Sequence, residues 1–549
     1  MHPCLQINEI LTNIFESTRE LEATEHPRFP LWPAKGSKNL AALARACKTF
    51  SEPALDLLWE FQPSLAPLVR CLPGDALAVK ARKITFFIRH DELMITRDLS
   101  PSDWERVNHY ARRIRTIGCY EKHKLEWSRL SFDALATLQL CKIGPGPILP
   151  NLLHFSACIS HFLHAPLYPS LVVGSNLKTL DIYTSDSYQT RYIDNDLLAA
   201  NLIFVFGPTS SSISSCSLLL PTGYAWGIFP SPVLTRLYCG FTSMQKFNLQ
   251  EVHTSCEALI TLSDLPYLRS LKMVISGTQL EKFNSIIDSD TIFSRLEELW
   301  IRTDALIHVQ EFFGHPGIGA LHTFQVIEAF NHANVWDVSS FVDAFHRQQG
   351  VSHLRHFGIF EQPFWGPRTD YPQITNRALT PLLSYVNMTT LTVNLGVVTV
   401  DDDMLKKMAV AWPHLQVLDL TDRSTGTIPQ ATLSGIFPLV ACCRDLRALT
   451  IRLNVLSDRQ PKLSQMEILI PGKALEVLNI CTSPVEDVDS VASTIQSIFP
   501  RLNKFRRGWI YCPLNDIEIG DEPVGVEGEY YRRWGAITEI VCDKSGRTL

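Results

Sequence analysis

The sequence predicts an α/β solenoid, with a parallel sheet on its concave side and helices on its convex side, preceded by a small all-α module. Three observations support this prediction. A short apolar phrase recurs through most of the chain, stretches with helical spacing separate its copies, and the first sixty residues show helical spacing alone. A chain of 549 residues exceeds what one core usually organises, so a repeat array or several domains is expected.

Composition excludes several classes of protein. Hydrophobic residues make up 46% of the chain, which excludes general disorder and suits a large buried interior. The net charge is only −6, so nucleic acid is not expected as a partner. The N-terminus lacks a signal-peptide pattern and the longest apolar stretches are too short to cross a bilayer. We therefore expect a protein of the cytoplasm, the nucleus or both, with no membrane partner.

The recurring phrase is six residues long, with apolar residues at its first, fourth and sixth positions. Its clear copies begin at Leu135, Leu177, Leu234, Leu268, Leu296, Leu321, Leu354, Met388, Leu415, Leu446 and Leu475. Weaker copies begin at Ile114, Leu152, Ile213 and Leu502. From Leu234 onward the copies begin about 25 to 34 residues apart.

Alternating apolar residues within the phrase predict a strand, and the stretches between copies carry helical spacing, as in Met404, Leu405, Met408 and Ala409. One strand and one helix of this size cannot bury their apolar faces alone. Stacked neighbours bury them together, which predicts a solenoid.

The phrase resembles the LxxLxL segment of the leucine-rich-repeat family, whose segment forms the concave strand. The resemblance covers roughly residues 104–510. The asparagine that usually follows in that family is mostly absent here, so irregular repeats are expected.

The first sixty residues carry three helical stripes. The first consists of Ile7, Ile10, Leu11, Ile14 and Phe15, at the spacing of one helix face. Residues 20–38 predict a loop because they contain three prolines and a glycine. The second and third stripes consist of Leu40, Leu43, Ala44 and Cys47, and of Leu55, Leu58 and Trp59 after a cap at Ser51. Three short helices make a small core, which leaves apolar surface for a partner.

Segments 4–15, 40–50 and 54–59 resemble the F-box found at the start of fungal F-box-like proteins. The chain departs from the family at Leu5-Gln6, where Leu-Pro is usual, and in its long first loop. The resemblance implies docking onto the Skp adaptor of a cullin-based SCF ubiquitin ligase. The residues it assigns to adaptor binding are Leu5, Ile7, Ile10, Leu11, Ile14, Phe15, Leu40, Leu43, Cys47, Phe50, Leu55, Leu58 and Trp59. The alternative is that residues 1–60 only cap the open end of the solenoid, and the two interpretations are compatible.

No pattern in the sequence indicates catalysis. Phosphate-binding loops, HExxH and the nucleophile elbow GxSxG are absent, and spacing selects no pair among the 56 acidic residues. The fourteen cysteines include no CxxC pair and are expected to be free thiols, mostly in the core. We therefore predict no enzyme, no metal and no cofactor. An enzyme hidden in a loop insertion would need a deep polar pocket with clustered acids or histidines.

Residues between the apolar positions of the phrase should point out from the concave face. The predicted substrate-binding residues are Tyr183, Tyr238, Lys272, Trp300, Arg302, Gln325, Phe360, Asn394, Asp419, Arg452 and Asn479. A strand register that is wrong by one residue would turn each of them inward.

The predicted organisation has four segments: an F-box-like three-helix module (1–60), a linker or N-terminal cap (61–103), irregular repeats (104–510) and a C-terminal cap or tail (511–549). The leading hypothesis is a substrate-recognition subunit of an SCF-type ubiquitin ligase, which binds the adaptor at one end and a protein substrate on the repeats. The alternative is a repeat scaffold for protein–protein interaction with no link to a ligase.

Overall fold

The computed structural model divides the chain into two compact units. Unit 1 comprises residues 1–252 and 265–267, and unit 2 comprises residues 253–264 and 268–549. The structure describes residues 7–18, 22–23, 31–32, 37–83, 89–118, 129–158, 167–183, 195–219, 232–287, 292–304, 306–313, 318, 321–328, 338–348, 353–361, 373–394, 396–422, 428–456, 474–499, 501–502, 504–506 and 526–543.

The described helices alternate with strands along both units. Those of unit 1 are α1 (Asn8–Ser17), α2 (Ser37–Ala46), α3 (Lys48–Glu60), α4 (Ala66–Val69), α5 (Trp104–Ala111), α6 (Phe132–Cys141), α7 (Leu167–Val172), α8 (Asn195–Phe206) and α9 (Pro232–Cys239). Those of unit 2 are α10 (Cys256–Ser263), α11 (Gly277–Ile286), α12 (Leu306–Phe312), α13 (Val338–Gln348), α14 (Asn376–Leu379), α15 (Asp402–Ala411), α16 (Leu433–Cys442), α17 (Val488–Ile498) and α18 (Val526–Asp543). None of these helices combines the length and the apolar character that crossing a membrane requires.

The described strands are short. Those that begin in unit 1 are β1 (Glu22–Ala23), β2 (Leu31–Trp32), β3 (Phe61–Gln62), β4 (Leu77–Lys83), β5 (Arg89–Ile95), β6 (Thr116–Gly118), β7 (Arg129–Leu130), β8 (His154–Cys158), β9 (Thr179–Tyr183), β10 (Ser215–Leu219) and β11 (Lys246–His253). Those of unit 2 are β12 (Ser270–Val274), β13 (Glu298–Thr303), β14 (Thr323–Glu328), β15 (His356–Glu361), β16 (Gln373–Thr375), β17 (Thr390–Asn394), β18 (Val397–Thr399), β19 (Val417–Thr421), β20 (Ala448–Ile451), β21 (Val477–Asn479) and β22 (Lys504–Arg506).

Both units contain parallel sheet. In unit 1 the strands β3, β6, β8, β9, β10 and β11 lie side by side in chain order and are parallel. In unit 2 the same holds for β12, β13, β14, β15, β17, β19, β20, β21 and β22. The predicted α/β class with parallel strands is therefore confirmed within each unit.

The phrase forms the core because its apolar positions all face one way. In β13, Leu299 and Ile301 are buried, and Leu296 is buried just before the strand. Full burial of such a side chain contributes about 1.5–3 kcal/mol. Successive repeats are also tied at their helix starts: the Asp402 carboxylate accepts hydrogen bonds from the Thr432 N–H (2.7 Å) and hydroxyl (2.6 Å). These two repeats thus depend on each other at the start of a helix as well as for burial.

Two copies of the phrase are helical, which corrects their prediction as strands. The copy at Leu135 lies in α6, where the Ser131 hydroxyl caps the helix by accepting the Ala134 N–H at 3.0 Å. The copy at Leu234 lies in α9. Residues three apart share a face in a helix, so the first two apolar positions of the phrase are compatible with a helix as well. The strand of that second region is β11, which carries its own copy at residues 244–249.

Candidate functional site

Helices α1–α3 pack around a small apolar core. Its buried residues are Leu11, Phe15, Leu40, Ala54 and Leu57. The Phe15 ring meets the edge of the Phe50 ring at a centroid distance of 5.4 Å. Three of the predicted adaptor-binding residues, Leu11, Phe15 and Leu40, therefore hold the helices together and do not form the surface of the module.

One flank of the apolar stripe on α1 is exposed. Ile7 is 45% exposed and Ile14 is 42% exposed, one helical heptad apart, with Ile10 half-buried between them. The other predicted adaptor residues within the described chain are half-buried: Leu43, Cys47, Phe50, Leu55, Leu58 and Trp59. Leu5 lies outside the described residues.

The helical module does not appear as a separate all-α domain. Helix α3 begins at Lys48, three residues before the predicted cap, and runs directly into β3, which pairs with β6 of the repeat sheet. The predicted loop between α1 and α2 also contains the antiparallel pair β1 and β2. The first helices are thus continuous with the sheet of unit 1.

Two contacts fix α3 against α5 in unit 1. The Trp59 ring stacks on the Tyr110 ring at a centroid distance of 4.4 Å. The Arg113 guanidinium, only 4% exposed, donates to Glu52 at 2.7 Å and also pairs with Asp56. The hydrogen bond from Arg113 lowers the pKa of the Glu52 carboxyl. These contacts are those expected of a helix that closes the end of a sheet.

In unit 2 the residues between the apolar positions form two rows on one face of the sheet, which we call the polar face. Strand pairing aligns one row as Lys272, Trp300, Gln325, Gly358, Thr392, Asp419, Thr450 and Asn479. It aligns the second row as Val274, Arg302, Ile327, Phe360, Asn394 and Thr421. Eight of the predicted substrate-binding residues fall in these rows, as the alternation predicts.

The first four strands of unit 2 leave part of the polar face accessible. We call this region the open patch, and its predicted members are the half-buried Lys272, Trp300, Arg302, Gln325 and Phe360. The same face also carries Glu298, Thr323 and His356, two positions earlier in the phrase, which were not among the predicted residues. The alternation of apolar and polar positions along each strand could have identified these three residues as well.

Gly358 shapes the open patch. A Cβ atom placed on Gly358 would lie 2.6 Å from Cε2 of Phe360 and 3.2 Å from Cγ of Gln325. The Phe360 ring therefore folds back over its own strand, into the space that a side chain at Gly358 would fill. The ring and Trp300 flank Gln325 from the two neighbouring strands.

Farther along the same face the predicted residues are buried, which corrects their prediction as exposed contacts. Asn394, Asp419, Arg452 and Asn479 are 1–5% exposed. Together with Thr421, Asp422, Cys481 and Thr482 they form what we call the buried polar cluster.

Hydrogen bonds satisfy much of this cluster. The Thr421 hydroxyl donates to Asp419 at 2.6 Å, and the Cys481 N–H donates to the Asn479 side chain at 3.0 Å. Arg452 donates to the Asp422 carboxylate at 3.4 Å and to the Thr482 carbonyl at 3.3 Å. Burial raises the pKa of Asp419 to about 6, although the hydrogen bonds from Thr421 act in the opposite direction. The cluster is therefore internal structure in this state.

Two predicted aromatic contacts are wrong. Tyr238 lies on α9 and is 2% exposed, so it does not belong to a strand face. Tyr183 lies on β9 as predicted, but it is 5% exposed and packs with Leu219, its neighbour on β10.

The described residues supply groups that can bind a partner. They do not reveal a group of catalytic side chains. Among them, no three histidine, cysteine or acidic side chains are placed to hold a metal ion. The cavity described in unit 1 is apolar and is lined in part by Leu65, Leu68 and Trp104. Aromatic and arginine side chains such as Trp300, Phe360 and Arg302 are types that commonly anchor protein interfaces.

The comparisons with known proteins leave the family of the chain open. No protein-family model matches it, and no match is found among the curated proteins. Among solved structures, a chain in the crystal structure of the Rad7 and Elc1 complex from yeast matches with 18% identity and a TM-score of 0.30, over 49% of this chain and 72% of that one. A similarity at this level carries no conclusion about the present chain.

Proposed function

We propose that the chain is a non-catalytic substrate-recognition subunit of an SCF-type cullin ubiquitin ligase. In this proposal α1–α3 bind a Skp-type adaptor, and the open patch of unit 2 binds a protein substrate. The observation that carries it is the open patch itself: aromatic, cationic and amide side chains aligned on four adjacent strands and left accessible.

The open patch suits recognition because its side chains start from a rigid base. Each lies in a parallel strand whose neighbouring apolar residues are buried, so the backbone needs little ordering when a partner binds. Trp300 lies beside Lys272 on one strand and Gln325 on the other, with Arg302 two residues farther on. Such a surface fits a partner with an apolar side chain and polar or acidic groups around it.

The adaptor part of the proposal derives from the F-box resemblance and from the exposed stripe on α1. Ile7 and Ile14 present apolar surface at the flank of the stripe on α1 whose buried part is Leu11 and Phe15. An apolar stripe on a packed helix suits docking into a groove of a helical partner.

The second candidate is a repeat scaffold whose first helices serve only as a cap. The direct passage of α3 into β3 and the contacts of Trp59 and Arg113 favour this interpretation. A capping role explains the contacts that α3 makes with the rest of unit 1. It does not explain why Ile7 and Ile14 are exposed.

A binding experiment with a purified Skp-type adaptor separates these candidates. Changing Ile7 and Ile14 together to aspartate should weaken adaptor binding by at least about tenfold, since each removes an apolar contact. The matched control is Asn8→Asp together with Asn13→Asp, which adds the same two charges at exposed positions of α1. Absence of binding by the unaltered chain would reject the ligase role, and equal binding by the double variant would reject α1 as the docking helix.

A further inference from the structure

A small sheet in unit 1 lies outside the array of repeat strands. It consists of β4, β5 and β7 in that order, with β4 antiparallel to β5. Among the strands that the structure describes, β4 pairs with β5 alone. Within the described part of the chain, its other side is therefore a sheet edge seven residues long.

Strand pairing determines which backbone groups of β4 point to that edge. The Thr96 N–H donates to the Ala76 carbonyl at 3.0 Å, one step beyond the register pair of Leu77 and Ile95. In an antiparallel pair, hydrogen-bonded and non-hydrogen-bonded positions alternate, so Ala78 and Lys80 bond to β5. The N–H and C=O groups of Val79 and Ala81 point away from β5.

The opposite strand supports this assignment. Leu93 is the register partner of Val79, and its carbonyl accepts the Ser131 N–H at 3.1 Å on the side of β7. Leu93 thus directs its backbone away from β4, as expected at a non-hydrogen-bonded pair. Exposure differs between these two register partners: Leu93 on β5 is 1% exposed, whereas Val79 on β4 is 53% exposed. The sheet is therefore accessible at β4.

The charge of β4 indicates what kind of strand fits. Its sequence is Leu-Ala-Val-Lys-Ala-Arg-Lys, with three basic residues and no acidic residue. Glu92 of β5 is the register partner of Lys80, whereas the register partners of Arg82 and Lys83 are His90 and Arg89. Like charges across adjacent strands are unfavourable, so a second copy of β4 is a poor neighbour for this edge. An acidic strand is a favourable one.

We propose that β4 is a docking edge for an extended acidic segment of a partner protein, which adds to this sheet as a further strand. The segment alternates apolar and acidic residues. Its backbone bonds to Val79 and Ala81, its apolar side chains cover Val79, and its carboxylates face the basic strand. This inference is independent of the ligase proposal.

A fluorescein-labelled decapeptide of alternating valine and glutamate provides the probe, titrated with the full chain and followed by fluorescence anisotropy. Val79→Pro should weaken binding by about tenfold because it removes an outward N–H. Proline is tolerated where the N–H of an edge strand faces solvent, so the hairpin should persist. Val79→Thr keeps the N–H and the branched shape, and should weaken binding less.

Hydrogen exchange tests the same proposal without a substitution. In the free chain the amides of Val79 and Ala81 should exchange rapidly and those of Ala78 and Lys80 slowly. The peptide should slow exchange at Val79 and Ala81 by at least about tenfold, since they become bonded. No binding, unchanged exchange at these amides, equal binding of an alternating valine–lysine peptide, or self-association of the chain through this edge would each overturn the proposal.

Discussion

The open patch and the buried polar cluster occupy the same face of the same sheet in unit 2, at the same positions of the repeated phrase. Trp300 and Asp419 even share one row. One region is half-buried and carries aromatic and cationic groups, whereas the other is 7% exposed or less and carries hydrogen-bonded polar groups. The comparison teaches that position in a repeat determines the direction of a side chain, while its exposure depends on what packs over it.

The largest expected effect is on stability, at Arg452 in the buried polar cluster. Arg452→Ala removes the cation that faces the buried Asp422 carboxylate, which should lower the free energy of unfolding by about 3–5 kcal/mol. Chemical denaturation measures this change. Arg447→Ala, at an exposed position just before β20, is the control and should cost less than about 0.5 kcal/mol. If Arg452→Ala and Arg447→Ala lowered the free energy of unfolding by the same small amount, the ion pair of Arg452 and Asp422 would contribute nothing to stability.

A pH-dependent effect should follow from Asp419. Its pKa is raised by burial to about 6 in the folded chain, so the proton is held more tightly there than in the unfolded chain. The resulting stabilisation is complete below pH about 4 and is lost as the pH rises through about 6, a change of about 3 kcal/mol.

Asp419→Asn removes this titration and keeps an oxygen that can accept from Thr421. The variant should therefore gain stability relative to the unaltered chain as the pH rises from 4 to 7.5, measured by urea unfolding at each pH. The nearby charges of Asp422 and Arg452 are the same in both proteins. A difference between the two proteins that is constant with pH would contradict the raised pKa.

A smaller effect is expected at Gly358 in the open patch. Gly358→Ala forces the Phe360 ring off its strand, which should cost about 1 kcal/mol and alter partner affinity. Gly74→Ala serves as the control because a Cβ there meets no atom within 4 Å. Thermal unfolding that responds equally to the two changes would show that the ring does not occupy the space above Gly358.

The smallest stability effect is expected at Trp300. Trp300→Ala removes a half-buried side chain from the open patch and should change the free energy of unfolding by less than about 1 kcal/mol. The same variant should lose binding to any partner that docks on the patch, which pull-down with the unaltered chain as reference would show. A loss of several kcal/mol would mean that Trp300 is a core residue.

Much of the fold could be predicted from the sequence because the phrase encodes a local rule. Alternation places Leu299 and Ile301 inside and Trp300 and Arg302 on the other face, as the register shows. The rule fails where the helical spacing of the first two apolar positions decides, as at Leu135, whose copy of the phrase is helical. The hairpin of β4 and β5 escaped prediction because it lies outside the repeats, in a segment expected to be a linker.

The candidate site was less predictable because exposure is not local. Asn479 and Lys272 occupy the same position of the phrase, yet one is buried and the other accessible. In the helical module, Leu11 and Ile14 belong to one apolar stripe, and only packing against α3 decides that Leu11 is core and Ile14 surface. Such outcomes depend on contacts between residues far apart in sequence.

Hydroxyl-radical footprinting read by mass spectrometry tests most directly whether the polar face is open in one region and closed in the other. Trp300 and Phe360 should be oxidised readily in the free chain. Cys481, a more reactive side chain that is 2% exposed in the buried polar cluster, should resist oxidation, while the exposed Cys442 reacts. Oxidation of Cys481 as fast as Cys442, or protection of Trp300 in the free chain, would contradict the account.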